Sequence, residues 1–415
     1  MISADEAVRL VLDSVEPLGV ERVPILDALG RVLASEVRSP RDVPGFDNSA
    51  MDGFAVRSID VASASASAPI RLTVLETVAA GTMPTRRLGP GQAIRTMTGA
   101  PLADGADAIV QVERTRPAGD SVEILEAVPP RNFVRPRGED LHEGELVMSS
   151  GRLLGAPDLG MLASLNRAMV DVVRRPRVAI VATGDELVDV DHVPTGAQVV
   201  NSSAYALAGA VQESGAERAI LRVARDRPEE IRERIGEALG FDVILSTGGV
   251  SVGDFDHVKG VLDELGMRTL FHGVAQRPGR PLKFGILQSK PVFGLPGNPV
   301  STLVCFYLYA RPALLKMAGR GEAGLPQVVA CCASDIKLAK DLTEFVRVRL
   351  ERRDGEWFAT PTGHQGSGVL SSVARADGLL IGPATETLLR AGTQARVLLL
   401  NEAVDAPFFE RRQKN

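Results

Sequence analysis

The 415-residue chain carries 47 Lys and Arg against 52 Asp and Glu, a net charge of −5, and is 45% hydrophobic. This length exceeds what one core supports and predicts three or four domains. The acidic balance excludes a general nucleic-acid binder, so any anionic ligand needs a local cationic patch. No apolar run approaches the ~18–20 residues of a membrane span. Acidic Asp5 and Glu6 near the start exclude an export signal. Three cysteines, two of them adjacent (Cys331 and Cys332), form neither a disulfide framework nor metal-site spacing, and a reducing cytoplasm is expected.

Taken in chain order, Ser3 and Glu6 fit a capping box, followed by a Val8, Val11, Leu12, Val15 helical stripe. Residues 41–134 hold short β-type runs (IRLTVLE, AIVQVE, VEILEAV) between Gly and Pro. Helical patterning returns at 157–169. The expected organisation is a split helical domain, 1–40 plus 135–175, interrupted by a β-rich inserted domain, 41–134. From 176 to 318 apolar strands alternate with helices: RVAIVAT, a helix capped by Asn201 or Ser202, AILRVA, a helix opened by Pro228, DVILS, a helix near 256–265, PVFGL and an apolar helix at 299–318. Fully apolar strands in such alternation predict a doubly wound, mostly parallel α/β sheet covered on both faces. Residues 319–415 return to β: Val346, Val348 and Leu350 alternate with Arg347, Arg349 and Glu351, and Asp354-Gly355 supplies a hairpin turn, which predicts a C-terminal small β-barrel or sandwich.

The polar segments are loops. PGFDNSAMDG sets Asp47, Asn48, Ser49 and Asp52 on one turn, a cluster able to hold a metal-bound or phosphate-bearing ligand. Its plainer reading is a loop whose side chains bond their own backbone. Open α/β sheets bind ligands outside the carboxyl ends of their strands. TGDEL, Arg225-Asp226, TGGVSVGDFD and GLPGNP all fall there, so Asp185, Glu186, Asp226, Asp254 and Asp256 should gather on one edge with Gly248, Gly249, Ser251 and the Asn298-Pro299 helix start. Glycine backbone and a helix start favour an anion, and carboxylates beside a phosphate imply a divalent cation. Neither GxxxxGK[ST] nor GxGxxG occurs, the five histidines are scattered, and GHQGSG lacks nucleophile-elbow spacing.

At PGFDNSAMDG, MTGAPLADGADAIVQVE, RGED, TGDEL, STGGVSVGDFDHVK, GLPGNPVS and TGHQGSG the chain resembles, in order and over nearly its full length, the molybdopterin molybdenumtransferase family, whose relatives include the C-terminal part of gephyrin. The resemblance implies a homodimer of four-domain subunits acting after a molybdopterin adenylyltransferase. It implies that adenylylated molybdopterin and molybdate give molybdenum cofactor and AMP with Mg²⁺ or another divalent cation. Carried over by position, it implies roles for Asp52, Thr98, Asp140, Glu186, Asp226 and Asp256, the last three as metal ligands. It further implies substrate contacts from Pro296, Asn298, Pro299, Ser301, Arg347 and Ser367. The family's KPGKP reads Arg277-Pro278-Gly279-Arg280-Pro281 here, and a family lysine is replaced at Gly273, so Arg277, Arg280 and Lys283 are the expected cations. Arg347, alternating with core valines, also has a plain reading as a surface arginine. Two other readings are a binding scaffold without turnover and a nucleotide amidase-like enzyme on the same α/β domain. A scaffold is disfavoured because the sequence shows no long disordered linker and retains the acids, and the amidase-like enzyme would need neither PGFDNSAMDG nor the barrel.

Overall fold

The computed structural model describes residues 1–248, 257–321 and 324–400, which form two compact units. One comprises 1–34, 153–155 and the described residues from 169 onward; the other comprises 35–152 and 156–168.

The first unit is built on a six-stranded sheet. Its strands are β1 (Arg177–Ala182), β2 (Glu217–Ile220), β3 (Val243–Thr247), β4 (Arg268–His272), β5 (Lys283–Leu287) and β6 (Lys290–Leu295), in the order β2-β1-β3-β6-β5-β4. The first four in that order run parallel, whereas β5 and β4 are antiparallel additions at one side. Val178, Ile180 and Ala182 enter one core and Ala179 and Val181 the other, all fully buried. That two-sided burial is why RVAIVA reads as an unbroken apolar run. The helices follow from their own signals. Ser202–Glu213 begins where the Asn201 side chain accepts the Ala204 amide, and Pro228–Ala238 begins at its proline. The apolar segment 299–317 is one helical run with a wide π-type turn at Phe306–Ala310.

The helix Ala4–Asp13 is capped as expected, Ser3 Oγ accepting the Glu6 amide. Its stripe, however, packs elsewhere than predicted. Ala7, Val11 and Val15 are buried in the core shared by β1, β3 and the 299–317 helix, each valine contributing about 2 kcal/mol of apolar burial. The other helix of the expected split domain, Ala156–Ser164, lies in the second unit. The two expected pieces do pair, Val20–Pro24 on Met169–Val173 and Val37–Arg38 on Leu146–Met148, but residues 135–152 are strands and turns and the N-terminal stripe is buried on the α/β core.

Beyond residue 324 the chain closes into a barrel. Strands β7 (Gln327–Cys332), β8 (Thr343–Arg353), β9 (Glu356–Pro361), β10 (Gly378–Gly382) and β11 (Gln394–Leu399) pair in the circle β8-β9-β7-β11-β10-β8. Asp354 and Gly355 both take positive φ between β8 and β9, the two-residue hairpin that Asp-Gly predicts. The short strand Gln276–Arg277 adds alongside β8, register Arg277 to Glu344.

The second unit carries a mixed six-stranded sheet within residues 53–124, in keeping with the β-rich expectation for that stretch. Among the described residues no helix is long and apolar enough to cross a membrane.

Candidate functional site

Two cavities open at the carboxyl ends of the parallel strands. The first, about 470 Å³, is walled by the Gln276–Pro281 loop, by Pro296, Asn298 and Ser301 of the turn after β6, and by Leu342, Gln365, Gly366 and Ser367 of the barrel. Barrel and sheet edge meet directly here. Asn298 leaves its own helix start uncapped, donating Nδ2 instead to Ser367 Oγ at 3.1 Å. The Val300 amide donates to the Ser367 carbonyl. That second bond corrects the expectation of a free helix start at Asn298-Pro299: proline has no N–H, and the next amide is already used.

Arg347 lies behind the Gly366–Ser367 loop. It is 1% exposed, so the plain reading of a surface arginine is wrong. Its guanidinium donates to Ser372 Oγ, the Phe345 carbonyl and the Gly366 carbonyl, at 3.3–3.4 Å, and among the described residues none of its hydrogen-bond partners is a carboxylate. Burial pushes its pKa down to about 10; Glu344 pulls it upward and Arg277 pushes it further down. Arg277 and Arg280 are exposed on the cavity wall, Arg277 lying 3.7 Å from the buried Glu344. A cavity with two arginines on its rim, a third buried behind it and Ser301 and Ser367 hydroxyls at hand has the donor set that a tetrahedral oxyanion requires.

The second cavity, about 520 Å³, shares Asn298 with the first. Its walls include Thr183 and Glu186 after β1, Asn201–Ser203 at the start of the Ser202–Glu213 helix, Thr247 and Gly248 after β3, and Gly297 and Pro299. Gly248 takes φ +94°, and a Cβ there would meet the Thr183 carbonyl at 2.5 Å, so only glycine lets these two strand ends close together. Asp185 and Asp226 clasp one another through reciprocal backbone amides at 3.3–3.4 Å. Glu186, beside them, is exposed, and among the described residues no hydrogen bond ties down its carboxylate. These are hard oxygen donors, which fit a magnesium-type cation. Among the described residues no group of three His, Cys, Asp or Glu converges to hold a metal. The expected third ligand, Asp256, lies outside the described residues, as do Asp254, Gly249 and Ser251.

Three family models cover the chain: the MoeA N-terminal region (domain I and II) over residues 2–166, the probable molybdopterin binding domain over 179–316, and the MoeA C-terminal region (domain IV) over 329–400. The molybdopterin molybdenumtransferase of Nostoc sp. is 37% identical over 386 residues, 92% of this chain and 88% of that protein. The one from Bacillus subtilis is 33% identical over 97% of this chain and 94% of its own length. The chain belongs to the molybdopterin molybdenumtransferase family. A solved structure of a molybdopterin biosynthesis MoeA protein from Pyrococcus horikosii, 34% identical, superposes with a TM-score of 0.84 over 96% of this chain and 99% of that one.

Of the residues that membership in the molybdopterin molybdenumtransferase family singles out, the first unit gathers Glu186, Gly248, Arg277, Arg280, Pro296, Asn298, Pro299, Ser301 and Ser367 on the two cavities. Asp226 stands beside them through Asp185. Lys283 is a correction. It is fully buried with Nζ on Asp263 at 2.8 Å and lines neither cavity, whereas Arg280 and Arg277 stand on the wall of the first. Lys283→Met should consequently leave oxyanion affinity within about twofold of the parent, as read by calorimetry; a tenfold loss would return the lysine to the site.

In the second unit Asp52 Oδ1 accepts both the amide and the hydroxyl of Thr98, at 2.7 and 2.8 Å. The Thr98 amide, then its hydroxyl, hold the Asp52 carboxyl below the ordinary range. Thr98→Val removes one of those donors and should raise the Asp52 pKa in a carbon-13 carboxyl titration. The stability that this pairing supplies is present above the unfolded pKa and fades as pH falls below it. Asp140 is exposed in the RGED turn, its amide on the Val43 carbonyl. The rest of the PGFDNSAMDG cluster serves the turn itself. Asp47 binds Arg131 and the Arg137 amide, Ser49 Oγ donates to the Met51 carbonyl, and Asn48 is buried in a strand pair with Arg135.

Proposed function

We propose that this protein transfers molybdenum from molybdate to adenylylated molybdopterin, releasing AMP and yielding molybdenum cofactor. Supporting this reading is one juxtaposition: an arginine-walled cavity suited to an oxyanion adjoins, through Asn298, a cavity rimmed by Glu186 and the Asn201–Ser203 helix start. Molybdate carries two negative charges, which match Arg277, Arg280 and the buried Arg347, while Ser301 and Ser367 donate hydroxyls to its oxygens. The phosphate-bearing pterin would occupy the second cavity, its dithiolene sulfurs turned toward Asn298. Glu186, Asp226 and Asp256 would hold Mg²⁺ or another divalent cation, which supplies charge neutralisation to the pyrophosphate link. Asn298 and Ser367, bonded to one another, orient the two substrates toward a common wall.

The reading includes a homodimer in which Asp52, Thr98 and Asp140 of one subunit complete the site of its partner, operating in the cytoplasm downstream of an adenylyltransferase. Incubating the protein with adenylylated molybdopterin, molybdate and Mg²⁺ should release AMP and active cofactor together. AMP release no faster than in a protein-free control would sink the proposal. Sedimentation of a fully active monomer at micromolar concentration would remove the dimer from it.

A further inference from the structure

The Gln276–Pro281 loop that carries both rim arginines rests on a buried chain of neutral hydrogen bonds. Tyr309, fully buried on the wide π-type turn, donates its hydroxyl to Gln276 Oε1. Gln276 is itself 0% exposed, and its Nε2 donates to the Pro278 carbonyl at 2.9 Å and toward Cys305 Sγ at 3.7 Å. The Cys305 thiol in turn faces the Gly279 carbonyl at 3.5 Å. Every donor of the phenol, the amide and the thiol is thereby used, and two of the acceptors are carbonyls of the loop itself.

The loop lies so close to this chain that Gly279, at φ +93°, has no room for a side chain. A Cβ there would sit 2.4 Å from Cys305 Sγ and 2.7 Å from Gln276 Nε2. On the outer side the loop is pinned to the barrel by the Gln276–Arg277 strand on Thr343–Glu344. Buried and fully satisfied networks rigidify what they touch, and wide turns inside helices recur at functional sites because they redirect a side chain. Tyr309 lies on this turn.

We infer that Tyr309, Gln276 and Cys305 are positioning residues: their buried hydrogen-bond chain sets the Arg277 and Arg280 loop at the distance from Ser301 and Ser367 that captures an oxyanion. The inference rests on the molybdate reading of this cavity and names the device that tunes it. None of the three side chains needs to touch the ligand. They act through the loop backbone, so their removal should change affinity for the oxyanion rather than remove a reacting group.

The test uses the full-length protein with Tyr309→Phe and Gln276→Leu, and with Tyr307→Phe as a control two residues away in the same turn. Hydrogen exchange without ligand should quicken at least about tenfold across 276–281 in both variants and stay at the parent's rate elsewhere and in the control. Calorimetric molybdate affinity should fall about five- to tenfold, and KM for molybdate should rise by a similar factor with kcat within twofold. Exchange across 276–281 equal to the parent's overturns the inference, and so does parent-like molybdate affinity in both variants. A uniform rise in exchange, with kcat and KM declining together, would mark a merely structural role and also overturn it. If the parent binds no molybdate the function reading falls, and exchange across the loop still decides the positioning role on its own.

Discussion

Replacing Arg347 with methionine is expected to weaken oxyanion capture about tenfold while leaving the ligand-free protein as stable as the parent or more so. The argument is one of sign. A guanidinium at 1% exposure whose hydrogen bonds, among the described residues, go to neutral oxygens has lost its hydration with only the field of nearby Glu344 to offset the loss. Its pKa, pushed down to about 10 chiefly by burial, records that cost. For a base depressed on folding the penalty is fully present below the folded pKa. It fades as pH rises from about 10 past the ordinary arginine value, so at neutral pH the empty protein bears all of it. A bound oxyanion supplies the missing charge. Arg347 acts on the cavity from behind the Gly366–Ser367 loop as a charge and not as a donor to the ligand, so its loss should weaken molybdate binding about tenfold, about 1.4 kcal/mol. Calorimetry gives the affinity and thermal unfolding of the ligand-free variant gives the stability. A large fall in Tm with molybdate affinity intact would mean that Arg347 serves the barrel instead.

Glu186→Gln should lower turnover by at least about tenfold, about 1.4 kcal/mol of activation free energy, with Tm unchanged. Glu186 separates function from fold better than its neighbours do. Asp226 and Asp185 accept one another's amides, so changing either also loosens the two strand ends they clasp. Glu186 lines the second cavity with no such duty. The isosteric amide removes one negative charge and keeps the size, so a deficit partly recovered by excess Mg²⁺ points to metal holding. Unchanged turnover across a magnesium titration would falsify that role.

How far the sequence foretold this arrangement depends on whether the signal was local. The α/β strands were legible because burial on both faces leaves them unbroken apolar runs, and the loops at their carboxyl ends were legible from glycine and acid content. The antiparallel strands Arg268–His272 and Lys283–Leu287 were not foreseen: one is half exposed, and the other is interrupted by Gly285 and starts with a lysine. The N-terminal helix was legible from its cap and stripe, and its packing on the α/β core was not, because an apolar stripe specifies burial and does not name its partner. Lys283 shows the same gap. A lysine near a candidate site looks like a ligand contact until Asp263, twenty residues away, is seen to hold it. Arg347 sat on an alternating strand in the position of a solvent-facing residue, and only the packing of the Gly366–Ser367 loop over it reverses that reading. The Tyr309–Gln276–Cys305 chain joins segments some thirty residues apart, and nothing in its residue types announces it.

The two bonds that tie Ser367 to Asn298 and Val300 bear on how this protein can be rebuilt. A closed five-stranded barrel with its own core invites treatment as an interchangeable module, to be traded with a relative's at the connection near 319–326. Such a chimera would fold both halves and still misalign the wall they share, since the donor loop must match the recipient's helix start atom for atom. The smallest transplantable piece runs instead from the Gln276–Pro281 loop through the end of the barrel. Recombination inside that stretch should yield soluble, well-folded and inactive proteins.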